Sequence, residues 1–153
     1  NLLTIFYLLF FIYSAYDVAI SQNAIIFVLM ISVLSDIGGF AVGKIIGGKK
    51  LTRISPNKTI SGCIGSFAFA FVALLFFSIS DIVKFDITFY EAVFLTVFLS
   101  LISQLGDLFI SFFKRKANIK DTGSILPGHG GLLDRVDGIL FSVPVAFVIL
   151  KIF

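Results

Sequence analysis

Five apolar runs, each at or near the length needed to cross a bilayer, constrain this chain more than any other feature. They extend from about Leu2 to Tyr16, Asn23 to Ile46, Ile60 to Ile79, Thr88 to Phe113 and Ile139 to Phe153. Backbone N–H and C=O groups in hydrocarbon must be satisfied within the segment that carries them, so such runs are read as helices. The expectation is an all-α, polytopic integral membrane protein, with about five transmembrane helices in a single domain over residues 1–153. Pro144 falls inside the last run, where the missing N–H marks a place for a kink. The first run is short for a full span, and no basic leader with a cleavage site precedes it. The chain is therefore expected to be the C-terminal portion of a longer bundle.

Charge gives the topology. Ten of the twelve Lys and Arg fall in two segments, residues 44–58 and 114–135. Two helices separate the segments, so both face one side, and the excess of basic residues makes that side the cytoplasm. Cytoplasmic loops are expected at about 47–59 and 114–137, with the loop at Asp81, Lys84 and Asp86 outside. At 58% hydrophobic and 14% charged residues, the chain does not suit nucleic-acid binding, and none is expected. Cys63 is the only cysteine, which excludes an internal disulfide.

Topology alone does not explain the acids and glycines mixed with these basic residues. Residues 111–138, SFFKRKANIKDTGSILPGHGGLLDRVDG, hold Lys114, Arg115, Lys116, Lys120, Asp121, His129, Asp134, Arg135 and Asp137 between two apolar runs. Asp36 and Asp107 lie inside apolar runs, eight and seven residues before Lys44 and Lys114. A carboxylate at membrane depth costs at least ~2.5 kcal/mol unless it is paired or binds metal. Both therefore point to a polar cavity at the basic side. Asp107, Ser111 and Lys114 share a helical face at spacings of four and three. Asp134 and Asp137 share one if the last helix begins near them, and Asp107 and Asp134 could then meet across a helix pair. Carboxylates combined with substrate phosphates are the usual way Mg²⁺ is held. Gly128, Gly130 and Gly131 around His129 allow close backbone approach to phosphate oxygens. One His and one Cys make a zinc site improbable. Ser55-Pro56-Asn57-Lys58-Thr59 reads as a turn leading into a helix, with Lys58 and Thr59 as candidate phosphate ligands.

These residues resemble the signature of the phosphatidate cytidylyltransferases, also called CDP-diacylglycerol synthases. The signature stands here as Ser111, Lys114-Arg115, Lys120-Asp121, Gly123, Pro127, His129-Gly130-Gly131, Asp134-Arg135 and Asp137. The upstream pieces SDIGGFAVGK, SPNKT and SQLGDL are similar to further elements of the family, so the likeness covers Ser35 to Gly138. Departures occur at Asn57, Ser61 and Ser66, where the family favours Lys, Glu and Gly.

The resemblance implies transfer of CMP from CTP to phosphatidic acid, giving CDP-diacylglycerol and pyrophosphate for phospholipid biosynthesis. It implies dependence on Mg²⁺, with two divalent ions or an added monovalent cation as further candidates. Asp107 and Asp134 would be the metal ligands. The implied catalytic set is Asp107, Asp134, Lys120, Asp121, His129, Arg135 and Asp137. The implied substrate-binding set is Asp36, Lys44, Lys58, Thr59, Ser111, Lys114, Arg115, Gly130 and Gly131. Membrane lipids and a second copy in a homodimer are the expected partners. The expected location is the bacterial inner membrane, with the site facing the cytoplasm. Two rival readings remain open: a CTP-dependent lipid-alcohol kinase, which would release CDP, and an ion transporter or channel, which would turn over no CTP.

Overall fold

The computed structural model describes residues 2–20, 24–52, 55, 58–80, 87–119 and 133–152, with the backbone alone for 133–135. Five helices account for most of them: α1 (Leu2–Ile20), α2 (Ile25–Ile46), α3 (Ile60–Ile79), α4 (Phe89–Lys116) and α5 (Leu133–Leu150). The protein is an all-α, polytopic membrane fold. Helices α1 to α4 are each long and apolar enough to cross a membrane, whereas the apolar stretch of α5 is shorter, Val136–Leu150.

Local chemistry explains the helix boundaries. Thr59 caps α3, its hydroxyl accepting from the Gly62 N–H at 3.0 Å. Thr88 and Glu91 form a capping box at the start of α4: Glu91 Oε2 accepts from the Thr88 N–H at 2.6 Å, and Thr88 Oγ1 accepts from the Glu91 N–H at 3.4 Å. Lys114, Arg115 and Lys116 occupy the last turn of α4, where cations complement the helix dipole. Asn118 follows with φ of 55°, a left-handed conformation that Asn tolerates at a helix end.

Two boundaries correct the sequence-based spans. The charged triplet was expected in a loop, yet α4 runs on through Lys116, because Lys and Arg are good helix formers. At its other side the 114–137 segment ends early, since α5 begins at Leu133 and takes in Asp134, Arg135 and Asp137. Pro144 lies inside α5, which is one helix from Leu133 to Leu150.

The core sits between α2, α3, α4 and α5, around Phe27, Ile31, Leu95, Leu99, Ala70, Ala73 and Val143. Buried hydroxyls tie the helices laterally: Ser32 to Ser142 and Ser35 to Ser100, each at 2.8 Å. Such bonds replace the hydrophobic drive that lipid cannot supply between helices. The α2–α3 contact is the most extensive among the described residues, because Gly38, Gly39 and Gly43 face Gly62, Gly65 and Ser66. A Cβ at Gly38 would lie 2.5 Å from the Gly65 carbonyl oxygen and 2.6 Å from Phe69 Cβ.

Candidate active site

The glycine seam between α2 and α3 forms one wall of a cavity of about 690 Å³. Its lining includes Gly39, Gly62, Cys63 and Ser66 from the seam, Lys58 and Thr59 from the preceding segment, Gln104 and Asp107 from α4, and Asp137 from α5. Asp36, Ile37 and Phe40 of α2 complete another side. The cavity thus joins carboxylates from three helices to an apolar α2 surface that is otherwise exposed: Ile37 is 49% and Phe40 72% accessible.

Asp107 is the hub. Its Oδ2 is ion-paired with Lys58 Nζ, and its Oδ1 accepts from the Ser111 hydroxyl at 3.4 Å. The i to i+4 spacing of Asp107 and Ser111 on one continuous helix makes the second contact possible. Lys58 Nζ also donates to the Gln104 carbonyl oxygen at 3.4 Å. Asp137 lies against Asp107, with Lys114 near enough to act on it electrostatically. Its Oδ1 accepts from the Gly138 N–H at 2.9 Å. Asp36 feels the charges of both Asp107 and Lys58. Lys58 and Lys114, from the two basic segments, therefore converge on one site, as expected if both segments face one side of the membrane.

The backbone around Lys58 is well held. Its carbonyl accepts from Leu51 N at 2.8 Å, its N–H donates to Ser55 O at 3.1 Å, and Ile60 N donates to Lys49 O at 3.0 Å. An isolated bridge pairs Lys50 with Thr59. Thr59, expected to face phosphate, uses its hydroxyl to cap α3 and to contact Ser61 at 3.0 Å. It still lines the cavity.

Other predicted site residues lie elsewhere. Lys44 is exposed on α2, with Nζ 5.7 Å from the Phe40 ring centroid, and does not line the cavity. Arg115 is exposed and donates to the Ile119 carbonyl at 3.4 Å. Lys120, Asp121, His129, Gly130 and Gly131 lie outside the described residues, as do the side chains of Asp134 and Arg135. Among the described side chains, the carboxylate that meets Asp107 from α5 is Asp137, one turn beyond the expected partner Asp134.

Sequence reasoning passed over Gln104 and the glycine seam. Gln104 stands three residues before Asp107 in an apolar run, the same anomaly that drew attention to the aspartate. The seam was visible as small residues three to five apart in both helices, the pattern that lets membrane helices approach closely.

The donor set suits a hard cation. The charged and polar atoms offered to the cavity by Asp36, Asp107, Asp137, Thr59 and Ser66 are oxygens. Among the described residues no three His, Cys, Asp or Glu side chains gather into a complete metal site. Mg²⁺ needs no such cage, since one or two carboxylates plus substrate phosphates and water are its usual ligands. Asp107 and Asp137 meet that requirement.

Comparison with known proteins agrees with the residue pattern. The model of the cytidylyltransferase family matches residues 1–153. A phosphatidate cytidylyltransferase of Helicobacter pylori (strain ATCC 700392 / 26695) is 40% identical over 137 residues, covering 90% of this chain and 49% of that protein. One from Bacillus subtilis (strain 168) is 42% identical over 120 residues, covering 78% of this chain and 44% of the relative. One from Staphylococcus aureus (strain COL) is 42% identical over 130 residues, covering 82% and 48%. The chain spans about half the length of the curated relatives it matches. With the family model matched from end to end, the chain belongs to the cytidylyltransferase family.

Proposed function

We propose that the chain forms the catalytic portion of a phosphatidate cytidylyltransferase, moving CMP from CTP to phosphatidic acid with release of pyrophosphate. The observation that carries this reading is the meeting of Asp36, Lys58, Asp107 and Asp137 in one cavity bounded by exposed apolar residues of α2. A diacyl lipid needs an apolar surface beside a polar site, and this cavity offers both. The names of the relatives support the same substrates.

The chemistry follows from charge. A phosphate oxygen of phosphatidic acid must attack the α-phosphorus of CTP, and both molecules are anions. Mg²⁺, when bound, would supply charge neutralisation and hold phosphate oxygens in place. Asp107 and Asp137 would hold it, with Asp134 as a further candidate ligand. Lys58 and Lys114 would orient phosphates and stabilise the charge that develops on them. Ser111 would keep the Asp107 carboxylate oriented through its hydrogen bond. The attacking phosphate is already ionised near neutral pH, so positioning and electrostatics do most of the work. The two basic segments would face the cytoplasm, where CTP is available, and the membrane would be the bacterial inner membrane.

The test mixes the purified full-length protein with CTP, phosphatidic acid and Mg²⁺ and identifies the products. CDP-diacylglycerol with pyrophosphate is expected. CDP with a phosphorylated lipid would replace this reading by a lipid kinase, and no CTP turnover by a folded protein would reject both.

A further inference from the structure

We infer that Lys58 is an internal stand-in for the divalent cation, pairing with Asp107 until metal arrives and then turning its ammonium to a phosphate group. The inference rests on the reading of Asp107 as a cation ligand. It does not depend on which nucleotide or lipid is used.

Three observations carry it. Among the described residues lining the cavity, Lys58 is the one basic side chain, against three aspartates. Its Nζ occupies Asp107 Oδ2, while Oδ1 is taken by Ser111. An ion joining Asp107 through Oδ2 would therefore compete with the ammonium for that oxygen. Lastly, the backbone of Lys58 is held by bonds to Leu51 and Ser55, and its neighbour Thr59 is bound to the end of α3. The four-carbon stem can swing from this fixed base without unfolding the segment.

Electrostatics sets the direction of the swing. A divalent ion attracts the carboxylate about twice as strongly as an ammonium at equal distance. An ion seated there would repel the ammonium and leave it, still beside the Gln104 carbonyl, available to phosphate oxygens. Metal binding and phosphate capture thereby become coupled through one side chain, and the coupling is reciprocal. Without metal, the pair spares Asp107 an unpartnered charge near Asp137 and Asp36. The arrangement also disfavours phosphate binding before the metal is present.

The test is Mn²⁺ binding to the purified chain, read by electron paramagnetic resonance without nucleotide. Removing an ion pair of this partly exposed kind releases roughly 1 kcal/mol of competition, so Lys58→Met should bind Mn²⁺ about five- to tenfold more tightly than the wild type. Lys58→Arg, which keeps the charge, should stay within about twofold of the wild type by the same measure. Equal or weaker binding by Lys58→Met overturns the inference. A second measurement needs no variant: saturating Mn²⁺ should raise the rate at which an amine-acylating reagent modifies Lys58 in the wild type, as quantified by mass spectrometry. An unchanged rate overturns it as well. If both results hold but no CDP-diacylglycerol forms, the stand-in role survives and the proposed reaction falls. If product forms while Lys58→Met binds Mn²⁺ like the wild type, the reverse is true.

Discussion

The α2–α3 and α1–α5 contacts solve the same problem, holding helices together in lipid, by opposite means. Between α2 and α3 the side chains are removed: Gly38, Gly39, Gly43, Gly62 and Gly65 bring backbone against backbone. Between α1 and α5 large rings make the contact. Phe147 packs edge-on against Phe10 and Tyr13 at 6.1 and 5.6 Å between centroids, and Tyr7 meets Phe141 at 6.0 Å. The Tyr7 hydroxyl adds a 2.7 Å bond to the Leu140 carbonyl, and Lys151 reaches Asp17 at 3.4 Å. The glycine seam leaves no room for added side chains and forms a cavity wall; the aromatic contact contributes no residue to the cavity lining. Precision is concentrated at the wall of the candidate site.

This contrast can be broken in several ways. The largest effect belongs to a change that spares both contacts. Asp107→Asn should lower the proposed cytidylyl transfer by about 100-fold or more, since the carboxylate proposed to hold Mg²⁺ at the phosphates is lost. Its melting temperature in detergent should stay close to that of the wild type. A large loss of stability would mean that Asp107 is a structural member of the bundle. Next comes Gly38→Ala. The added methyl overlaps the Gly65 carbonyl and Phe69, and overpacking of that kind costs about 1–3 kcal/mol. Reversible unfolding in mixed detergent should register it, and activity should fall because the cavity wall moves. A neutral result would show that the seam is looser than its geometry implies.

Smaller changes probe the aromatic side. Tyr7→Phe removes the bond to Leu140 and should cost about 1 kcal/mol of stability with transfer activity retained. A cost equal to that of Gly38→Ala would erase the distinction between the two contacts. Lys151→Met should have the least effect, about 0–1 kcal/mol, because the lysine side chain is 47% accessible. A greater loss would show that Asp17, whose Oδ2 has no hydrogen-bond partner among the described residues, depends on this cation.

Much of the fold was legible in sequence because hydrocarbon is an unforgiving solvent. Four of the five helices coincide with apolar runs to within a few residues, since any interruption would strand backbone groups in lipid. The ends of α4 and α5 were less legible, as the rule no longer applies in the charged stretches outside the apolar runs. Within the site, Asp36 and Asp107 stood out because charge in an apolar run demands a reason, and both line the cavity. The Lys58–Asp107 pair could not be read from spacing, because 49 positions separate the two residues in sequence.

The sequence by itself therefore determined that the chain is a bundle of membrane helices, that its basic residues gather in two segments, and which acids lie within apolar runs. Each of these follows from the cost of polar groups in lipid, a local property of each segment. Tertiary structure alone decided that Asp137 meets Asp107, that Lys58 holds the Asp107 oxygen, and that Lys44 stays outside the cavity. Those outcomes depend on how far helices rotate and how closely they approach. At the cavity wall, that approach is governed by glycine facing glycine between α2 and α3.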